Sequence, residues 1–191
     1  MTLVSSLRRA RLRSGLSLRR AADLSGIAAS NLSAIENGRR DPGTGTAARI
    51  ADAVGITFIP VRLRGRTSAA EISDELTRLA GQPAEAYRAL LQFADDLAST
   101  DAVGRVLLTV EEPQVTGTPW DAALAGVAEW RLGHVGAPVP SWISDTTRDP
   151  AEVWEPQRTS FPMPPVSRAD RVPAPLLARG VLIEAAEFAS A

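Results

Sequence analysis

The sequence of 191 residues contains 21 basic residues, all of them arginine, one histidine and no cysteine. These counts exclude disulfides, thiolate nucleophiles, lysine Schiff bases and metal sites built from several histidines. The net charge of −1 is unevenly divided: residues 1–66 carry 12 arginines and four acidic residues, a net +8, whereas residues 67–191 carry nine arginines and 18 acidic residues, a net −9. The basic segment suits a polyanion, which the acidic segment would repel.

No apolar run approaches the roughly 18 residues of a membrane span, and no signal-peptide pattern opens the chain. We therefore expect a cytoplasmic protein without a membrane partner. No glycine-rich phosphate loop or catalytic dyad stands out, so we expect no cofactor, no bound metal and no enzymatic activity. His134 is expected to be a structural or surface residue. Acidic pairs such as Asp95-Asp96 and Glu111-Glu112 are expected to form a solvated face.

Residues 1–55 show the apolar periodicity and the stop signals of four short helices. Ser17 is a good N-cap, Gly26 permits a sharp turn between two helices, and Gly38 lies where a helix should end. Ala28 is a poor cap for the third helix and leaves a backbone N–H without an intrahelical partner. The predicted helices span residues 2–14, 17–25, 28–37 and 44–54.

This pattern of four helices, with Gly26 between the second and third and Arg39-Arg40-Asp41-Pro42 closing the third, resembles the Xre/Cro-type (lambda-repressor-like) helix-turn-helix regulators. The resemblance covers roughly residues 3–63 and is carried by Leu7, Arg8, Gly15-Leu16-Ser17, Ala22, Gly26, Ile35-Glu36, Gly38, Pro42, Ile50-Ala51 and Gly55. It implies a domain that binds double-stranded operator DNA. Two residues depart from the family pattern. Leu18 stands where the family often has a glutamine that contacts phosphate, and Ala28 stands where the family usually has a serine or threonine N-cap.

The third helix is the recognition helix, which such a motif places in the major groove. Asn31 is the only side chain there that can make a bidentate contact, and adenine is its natural partner. Ala29 or Ala34 could touch a thymine methyl group. The predicted base contacts are Ala29, Ser30, Asn31, Ser33 and Ala34.

A second set of side chains is predicted to contact phosphates, which gives affinity rather than sequence information. These residues are Ser17, Arg19, Arg20, Asn37, Arg39 and Arg40. The alternative is a helix-turn-helix used only for protein contact, which a net charge of +8 disfavours.

Residues 56–64 alternate in polarity and contain β-branched side chains, which predicts a strand. A strand needs a neighbour for its backbone hydrogen bonds. In some members of the resembled family that neighbour is the same strand of a second subunit, which would make a homodimer with Phe58, Val61 and Leu63 at the interface. The alternative is pairing with the C-terminal region of the same chain.

After Arg66 the composition changes sign, and we predict an N-terminal domain over residues 1–66 and an acidic domain over residues 67–191. Ser68 and Glu71 fit a capping box, and Pro83 suits a first helical turn. The predicted elements are a helical hairpin at 69–80 and 83–98, a helix or strand at 101–110, a helix opened by Thr118-Pro119, and a short helix, a strand at 181–183 and a short helix at the end.

Nine of the 14 prolines fall between Pro138 and Pro175, interleaved with aromatic residues. This interleaving predicts an ordered, loop-rich layer wrapped over the helices rather than a disordered tail. The expected fold class is therefore mainly α, with a helix-turn-helix bundle and a following strand, then a helical, proline- and tryptophan-rich domain with little β structure. The tryptophans are predicted to bind a partner, although core positions are the alternative; they are Trp120, Trp130, Trp142 and Trp154.

Two stretches of the acidic half, Trp120-Asp121-Ala122-Ala123-Leu124 with Trp142 and Arg179-Gly180-Val181-Leu182-Ile183, look similar to a C-terminal module of antitoxins that are encoded beside nucleotidyltransferase-like toxins. The resemblance implies a type II toxin–antitoxin role, in which the acidic domain neutralises a toxin from a neighbouring gene and the basic domain represses the operon. The alternative is a transcriptional regulator whose acidic domain senses a small molecule in a tryptophan-lined pocket.

Overall fold

The computed structural model of the chain describes residues 3–58, 65–159, 161 and 166–189. Within these ranges the chain is mainly helical, and its β structure is a single parallel bridge between Trp154 and Val181. No helix in the same ranges is both long enough and apolar enough to cross a membrane. The α-helices are α1 (Leu3–Arg13), α2 (Leu18–Ser25), α3 (Ala29–Glu36), α4 (Thr44–Ala53), α5 (Ala69–Arg78), α6 (Pro83–Ala98), α7 (Ala102–Thr109), α8 (Trp120–Gly133) and α9 (Ala174–Ala178).

The chain divides into two compact units, Met1–Arg62 and Leu63–Ala191, which we call unit 1 and unit 2. Each unit has its own cluster of buried apolar side chains. In unit 1 the cluster is built from one face of each of α1 to α4 and includes Leu7, Leu32, Ile35 and Ile50, each no more than 1% exposed. Burial of an aliphatic side chain of this size contributes roughly 1.5–3 kcal/mol, so this cluster holds the four helices together.

The turn between α2 and α3 has the geometry that its sequence predicts. Gly26 adopts the left-handed conformation with φ of 64°, and the backbone N–H of Ile27 donates to the Ala22 carbonyl at 3.0 Å. A side chain at this φ would be strained, because only glycine adopts it without a steric cost. Ser17 caps α2 by accepting from the Arg20 N–H at 3.2 Å.

The strand predicted after α4 is not present in the described part of the chain. Residues 56–58 form no strand, and the backbone N–H of Ile56 donates to the Ala51 carbonyl, which closes the end of α4. The Ile56 N–H is thus used at the end of α4 and is not available to pair with a neighbouring strand. Phe58 is 44% exposed. The other two predicted interface residues, Val61 and Leu63, lie outside the described residues.

In unit 2 the remaining elements surround α8. Its residues 121–128 are all buried, and it packs against α5, α6, α7 and α9. The approach of α9 is close: a Cβ on Gly126 would lie 2.9 Å from Leu176 Cδ2, a distance that real Cβ atoms essentially never show. Glycine at this position therefore lets α9 lie directly on α8.

The proline- and tryptophan-rich segment is tied to the C-terminal segment by backbone hydrogen bonds. The Trp154 N–H donates to the Gly180 carbonyl at 2.7 Å, and the Leu182 N–H donates to the Trp154 carbonyl at 2.8 Å. The strand predicted at 181–183 is wrong in extent. Among these three residues, Val181 alone takes part in β structure, through the bridge to Trp154. The segment at 101–110, for which helix and strand were alternatives, is the helix α7.

Candidate functional site

The first turn of α3 is open to solvent in unit 1. Its N-cap is Ala28, which makes no side-chain capping hydrogen bond, and Ala29 and Ser30 are exposed. The N-terminus of a helix carries partial positive charge and unsatisfied N–H donors, so it favours an anionic ligand such as a phosphate. Serine and alanine side chains this short also allow the helix backbone to approach a groove closely.

The other predicted base-contacting residues are less accessible. Asn31 is half-buried, and its Oδ1 is buried without a hydrogen-bond partner among the described residues. Ser33 and Ala34 are half-buried as well, and Ser33 Oγ lies 3.4 Å from the side-chain nitrogen of Asn37.

The orientation of Asn31 matters for base recognition. A bidentate contact with adenine needs both the amide oxygen and the amide nitrogen at the base edge. With Oδ1 buried, the side chain must rotate before it can make both hydrogen bonds. An unpaired buried amide oxygen costs about 1–3 kcal/mol, which favours such a rotation when a partner becomes available.

The predicted phosphate-contacting arginines flank α3. Arg19, Arg20, Arg39 and Arg40 are all exposed, and none of them forms an ion pair with a described residue. Gly38 adopts φ of 67°, which turns the chain after α3 and leads directly into the last two of these arginines. Four exposed guanidinium groups give this part of unit 1 a strongly positive surface.

The two polar residues that were assigned to phosphates already have structural roles. Ser17 caps α2, and the Asn37 side-chain nitrogen donates to the Ser33 carbonyl at 2.8 Å, at the end of α3. The Ser17 hydroxyl retains a hydrogen for a phosphate oxygen.

An ion pair that sequence reasoning missed fixes the position of α3. Arg11 on α1 donates to Glu36 through Nε at 2.6 Å and through Nη2 at 2.8 Å, and its Nη1 donates to the Leu16 carbonyl at 2.8 Å. The side chains are 11% and 4% exposed. The Glu36 hydrogen bonds raise the pKa of Arg11 despite its burial. Two residues 25 apart give no local sequence signal, so only the packed bundle reveals this contact.

In unit 2 the four tryptophans occupy different environments. Trp142 is buried, and its indole N–H donates to the Thr109 carbonyl at 2.8 Å. Trp130 is half-buried, lies 4.4 Å beneath the Arg131 guanidinium and packs against Phe188. Trp120 and Trp154 are half-buried and form a perpendicular pair with ring centroids 4.8 Å apart. This pair lines a cavity of about 450 Å³.

His134 and two of the acidic pairs have structural surroundings. His134 is exposed and packs edge-on against Trp130, and partial burial together with the Arg131 charge lowers its pKa. Asp96 was expected in a solvated face, but it is buried and accepts a hydrogen bond from the Thr67 N–H at 2.7 Å. Glu112 pairs with Arg148 at 2.9 Å.

The residues behind the antitoxin resemblance are largely structural. Asp121 is buried and accepts hydrogen bonds from the backbone N–H groups of Thr116 and Gly117. Arg179 is buried, pairs with Asp149 at 3.0 Å and Glu129 at 2.9 Å, and donates to the Ile143 carbonyl. These contacts join distant parts of unit 2.

Comparison with known proteins identifies the N-terminal part only. Residues 2–60 match a family model described as a helix-turn-helix domain, and this match supports a DNA-binding regulator. The matched range is about a third of the chain and contains α1 to α4. No curated protein and no solved structure matches the chain.

Proposed function

We propose that this protein is a sequence-specific transcriptional repressor of the Xre/Cro type that presents α3 to the major groove of operator DNA. The observation that carries the proposal is the set of four exposed arginines without described ion pairs, Arg19, Arg20, Arg39 and Arg40, on a helix-turn-helix domain. Repression follows from occupancy of the operator, and the protein needs no catalytic activity for it.

The arginines account for affinity and for salt dependence. Each phosphate neutralised on duplex DNA changes the slope of log affinity against log salt by about −0.9, so four such contacts give a slope of roughly −3 to −4 per domain. Base discrimination then comes from the exposed start of α3, with Ser30 and a rotated Asn31 as hydrogen-bonding groups and with Ala29 and Ala34 as partners for thymine methyl groups.

Binding to DNA sequences selected from a random pool by the protein itself tests this proposal. Arg39→Ala and Arg40→Ala should weaken binding to selected and scrambled duplexes alike and should flatten the salt slope by about 0.9 for each phosphate that is no longer neutralised. Asn31→Ala should instead reduce the preference for the selected sequence, by a factor equivalent to about 1–3 kcal/mol.

Arg88→Ala is the matched control, because Arg88 is an exposed arginine of unit 2 with its side chain 72% exposed. It should leave both affinity and preference unchanged. Unaltered DNA binding in the Arg39 and Arg40 variants would refute the assignment of the surface, and unaltered preference in Asn31→Ala would refute the adenine contact alone.

For the whole chain we propose the autoregulating antitoxin of a type II toxin–antitoxin system. Support comes from the two sequence stretches of unit 2 that resemble an antitoxin module and from the net −9 of residues 67–191, which suits a basic toxin surface. Co-expression with the product of the adjacent gene should yield a stable complex and relieve any growth arrest that this product causes. A neighbour that is neither toxic nor bound would refute this role.

We also propose that the repressor acts as a homodimer, since paired half-sites one helical turn apart are the usual target of such domains. Sedimentation of the free protein and of its DNA complex tests this directly, and a single protomer on the selected duplex would refute it.

A second candidate function is the regulation of DNA binding by a small molecule. The specific observation in its favour is the cavity of about 450 Å³ that Trp120 and Trp154 line in unit 2. The antitoxin role and the ligand-regulated role are separable, because the first requires a protein partner and the second requires a small molecule that fits this cavity.

A further inference from the structure

We propose that the cavity beside Trp120 and Trp154 binds a neutral, largely apolar small molecule that contains a flat ring system. The proposal rests on the second candidate function, since it names the class of ligand that would regulate DNA binding. Residues of one unit alone form the cavity, which lies between the end of α5, the start of α6 and the segment that leads into α8.

The size and lining of the cavity suit such a molecule. Its volume of about 450 Å³ falls within the range of roughly 300–1,000 Å³ that is typical of small-molecule sites. The apolar lining includes Leu76, Leu79 and Pro83. Concave, mostly apolar surface of this kind favours a ligand that gains free energy by leaving water.

The tryptophan pair gives the cavity a shape that favours a ring. The planes of Trp120 and Trp154 are 80° apart, so the pair presents two nearly perpendicular aromatic surfaces. A flat ring that stacks on one indole can meet the other edge to face, and both geometries are favourable for aromatic pairs. In contrast to the indole N–H of Trp142, neither indole N–H of the pair has a hydrogen-bond acceptor among the described residues. A ligand acceptor that reached either N–H would therefore displace no protein acceptor.

The walls of the cavity are held by groups outside it, so the site is preformed. The backbone of Trp154 is fixed by its two hydrogen bonds to the C-terminal segment. The turn that precedes Trp120 is fixed by the buried Asp121 carboxylate, which accepts from the Thr116 N–H at 3.0 Å and from the Gly117 N–H at 2.9 Å. A preformed site loses little ordering entropy when a ligand binds.

The lining of the cavity favours a neutral ligand over a charged one. Among the residues that the structure describes, no charged side chain lines the cavity. The Thr77 hydroxyl donates to the Ser73 carbonyl at 3.0 Å, and the Thr116 and Thr118 hydroxyls are paired at 2.6 Å. A phosphate, carboxylate or ammonium group placed there would lose part of its hydration without gaining an opposite charge, which is unfavourable. Nucleotides and other ionic metabolites are therefore the wrong class.

Two dyes with the same ring skeleton test this inference on the full-length protein. N-phenylnaphthylamine is neutral, and anilinonaphthalene sulfonate adds one negative charge to the same rings. The neutral dye should bind saturably with increased fluorescence, and the sulfonate should bind at least tenfold more weakly. Binding of the neutral dye should shift the indole N–H resonances of Trp120 and Trp154 in the NMR spectrum but leave that of the buried Trp142 in place.

Filling the cavity should remove binding without unfolding the protein. Ala80 is an exposed residue of the lining, so Ala80→Trp can occupy the cavity without disturbing the core. Ala178→Trp, at the exposed end of α9, is the matched control. We expect at least a tenfold loss of affinity for the neutral dye in Ala80→Trp alone, with an unchanged melting temperature. Equal binding in both variants, equal binding of the two dyes, or unshifted Trp120 and Trp154 resonances would overturn the proposal.

Measurement of DNA binding in the same samples separates this proposal from the function on which it rests. A changed affinity for the selected duplex at saturating neutral dye supports both the site and the sensing function. Dye binding with unchanged DNA affinity supports the site but refutes sensing. Absence of dye binding from a protein that still binds DNA refutes the site and leaves the repressor function intact.

Discussion

Four arginines of unit 1 and four arginines of unit 2 have opposite surroundings. In unit 1, Arg19, Arg20, Arg39 and Arg40 extend into solvent without ion pairs among the described residues, whereas Arg11 pairs with Glu36. In unit 2, the guanidinium groups of Arg105, Arg131, Arg148 and Arg179 are buried and donate to protein oxygens. Because the chain contains no lysine, residue type cannot distinguish a DNA contact from a structural arginine, and only burial and partners do so.

Two of the buried arginines of unit 2, Arg105 and Arg131, donate to backbone carbonyls near helix ends. Arg105 donates to the Arg131 carbonyl near the end of α8 at 2.5 Å and to the Ala98 carbonyl at the end of α6 at 3.2 Å. Arg131 in turn donates to the Ala94 carbonyl, just before the last turn of α6, at 3.1 Å. The last carbonyls of a helix lack intrahelical partners and carry partial negative charge, so a cation there is stabilising.

The largest effect is expected at Arg11, an arginine of unit 1 that is paired and largely buried, as four arginines of unit 2 are. Arg11→Met should destabilise unit 1 by about 3–5 kcal/mol, because it leaves the Glu36 carboxylate buried without its partner. The measurement is the free energy of unfolding by denaturant titration, followed through the helical signal.

The double variant Arg11→Met with Glu36→Leu is the control for this prediction. It removes both charges, so most of the stability should return, since apolar replacement of a buried pair is often neutral. A double variant as unstable as Arg11→Met would show that packing rather than charge pairing explains the destabilisation.

A smaller loss is expected at Arg179, whose two acidic partners are partly exposed. Arg179→Met should cost roughly 3 kcal/mol in unit 2, because Glu129, Asp149 and the Ile143 carbonyl lose a shared donor. Arg88→Met removes an exposed pair with Glu85 at 3.5 Å and should change the free energy of unfolding by no more than about 0.5 kcal/mol. Equal effects of the two substitutions would contradict the contrast between exposed and buried arginines.

An effect smaller than those at Arg11 and Arg179 concerns pH and the Arg158 cluster of unit 2. Arg158 donates to Glu187 at 2.6 Å and also pairs with Glu155. Burial alone would raise the pKa of each carboxyl group, but hydrogen bonds, the strongest of them from Arg158, hold both pKa values below the ordinary value of 4.5. The ionised carboxylates therefore contribute stability that is fully present above pH 4.5 and is lost as the pH falls through the lower folded-state pKa values.

Arg158→Met should remove about 2 kcal/mol of stability at neutral pH, and its stability should fall less steeply on acidification than that of the unsubstituted protein. Denaturant titrations between neutral and acidic pH measure both quantities. Parallel stability curves for the two proteins would exclude Arg158 as the cause of the depressed pKa values.

Local chemistry in the sequence was sufficient for the helices and their ends. Ser17 caps the start of α2 and Gly26 caps its end, as predicted. The capping box of Ser68 and Glu71 starts α5, also as predicted. These features depend on neighbouring residues and on intrinsic backbone preferences, so a single sequence reveals them. The charge division and the helix-turn-helix arrangement were visible for the same reason.

Contacts between distant residues were decided by the tertiary structure alone. The sequence could not show that Ile56 would close α4 rather than start a strand, that Asn31 Oδ1 would be buried, or that Arg11 would meet Glu36. It also could not divide the tryptophans into the buried Trp142 and the pair that lines a cavity. Composition and periodicity determine which elements form and which charges they carry, whereas burial and hydrogen-bond partners exist only once those elements have packed.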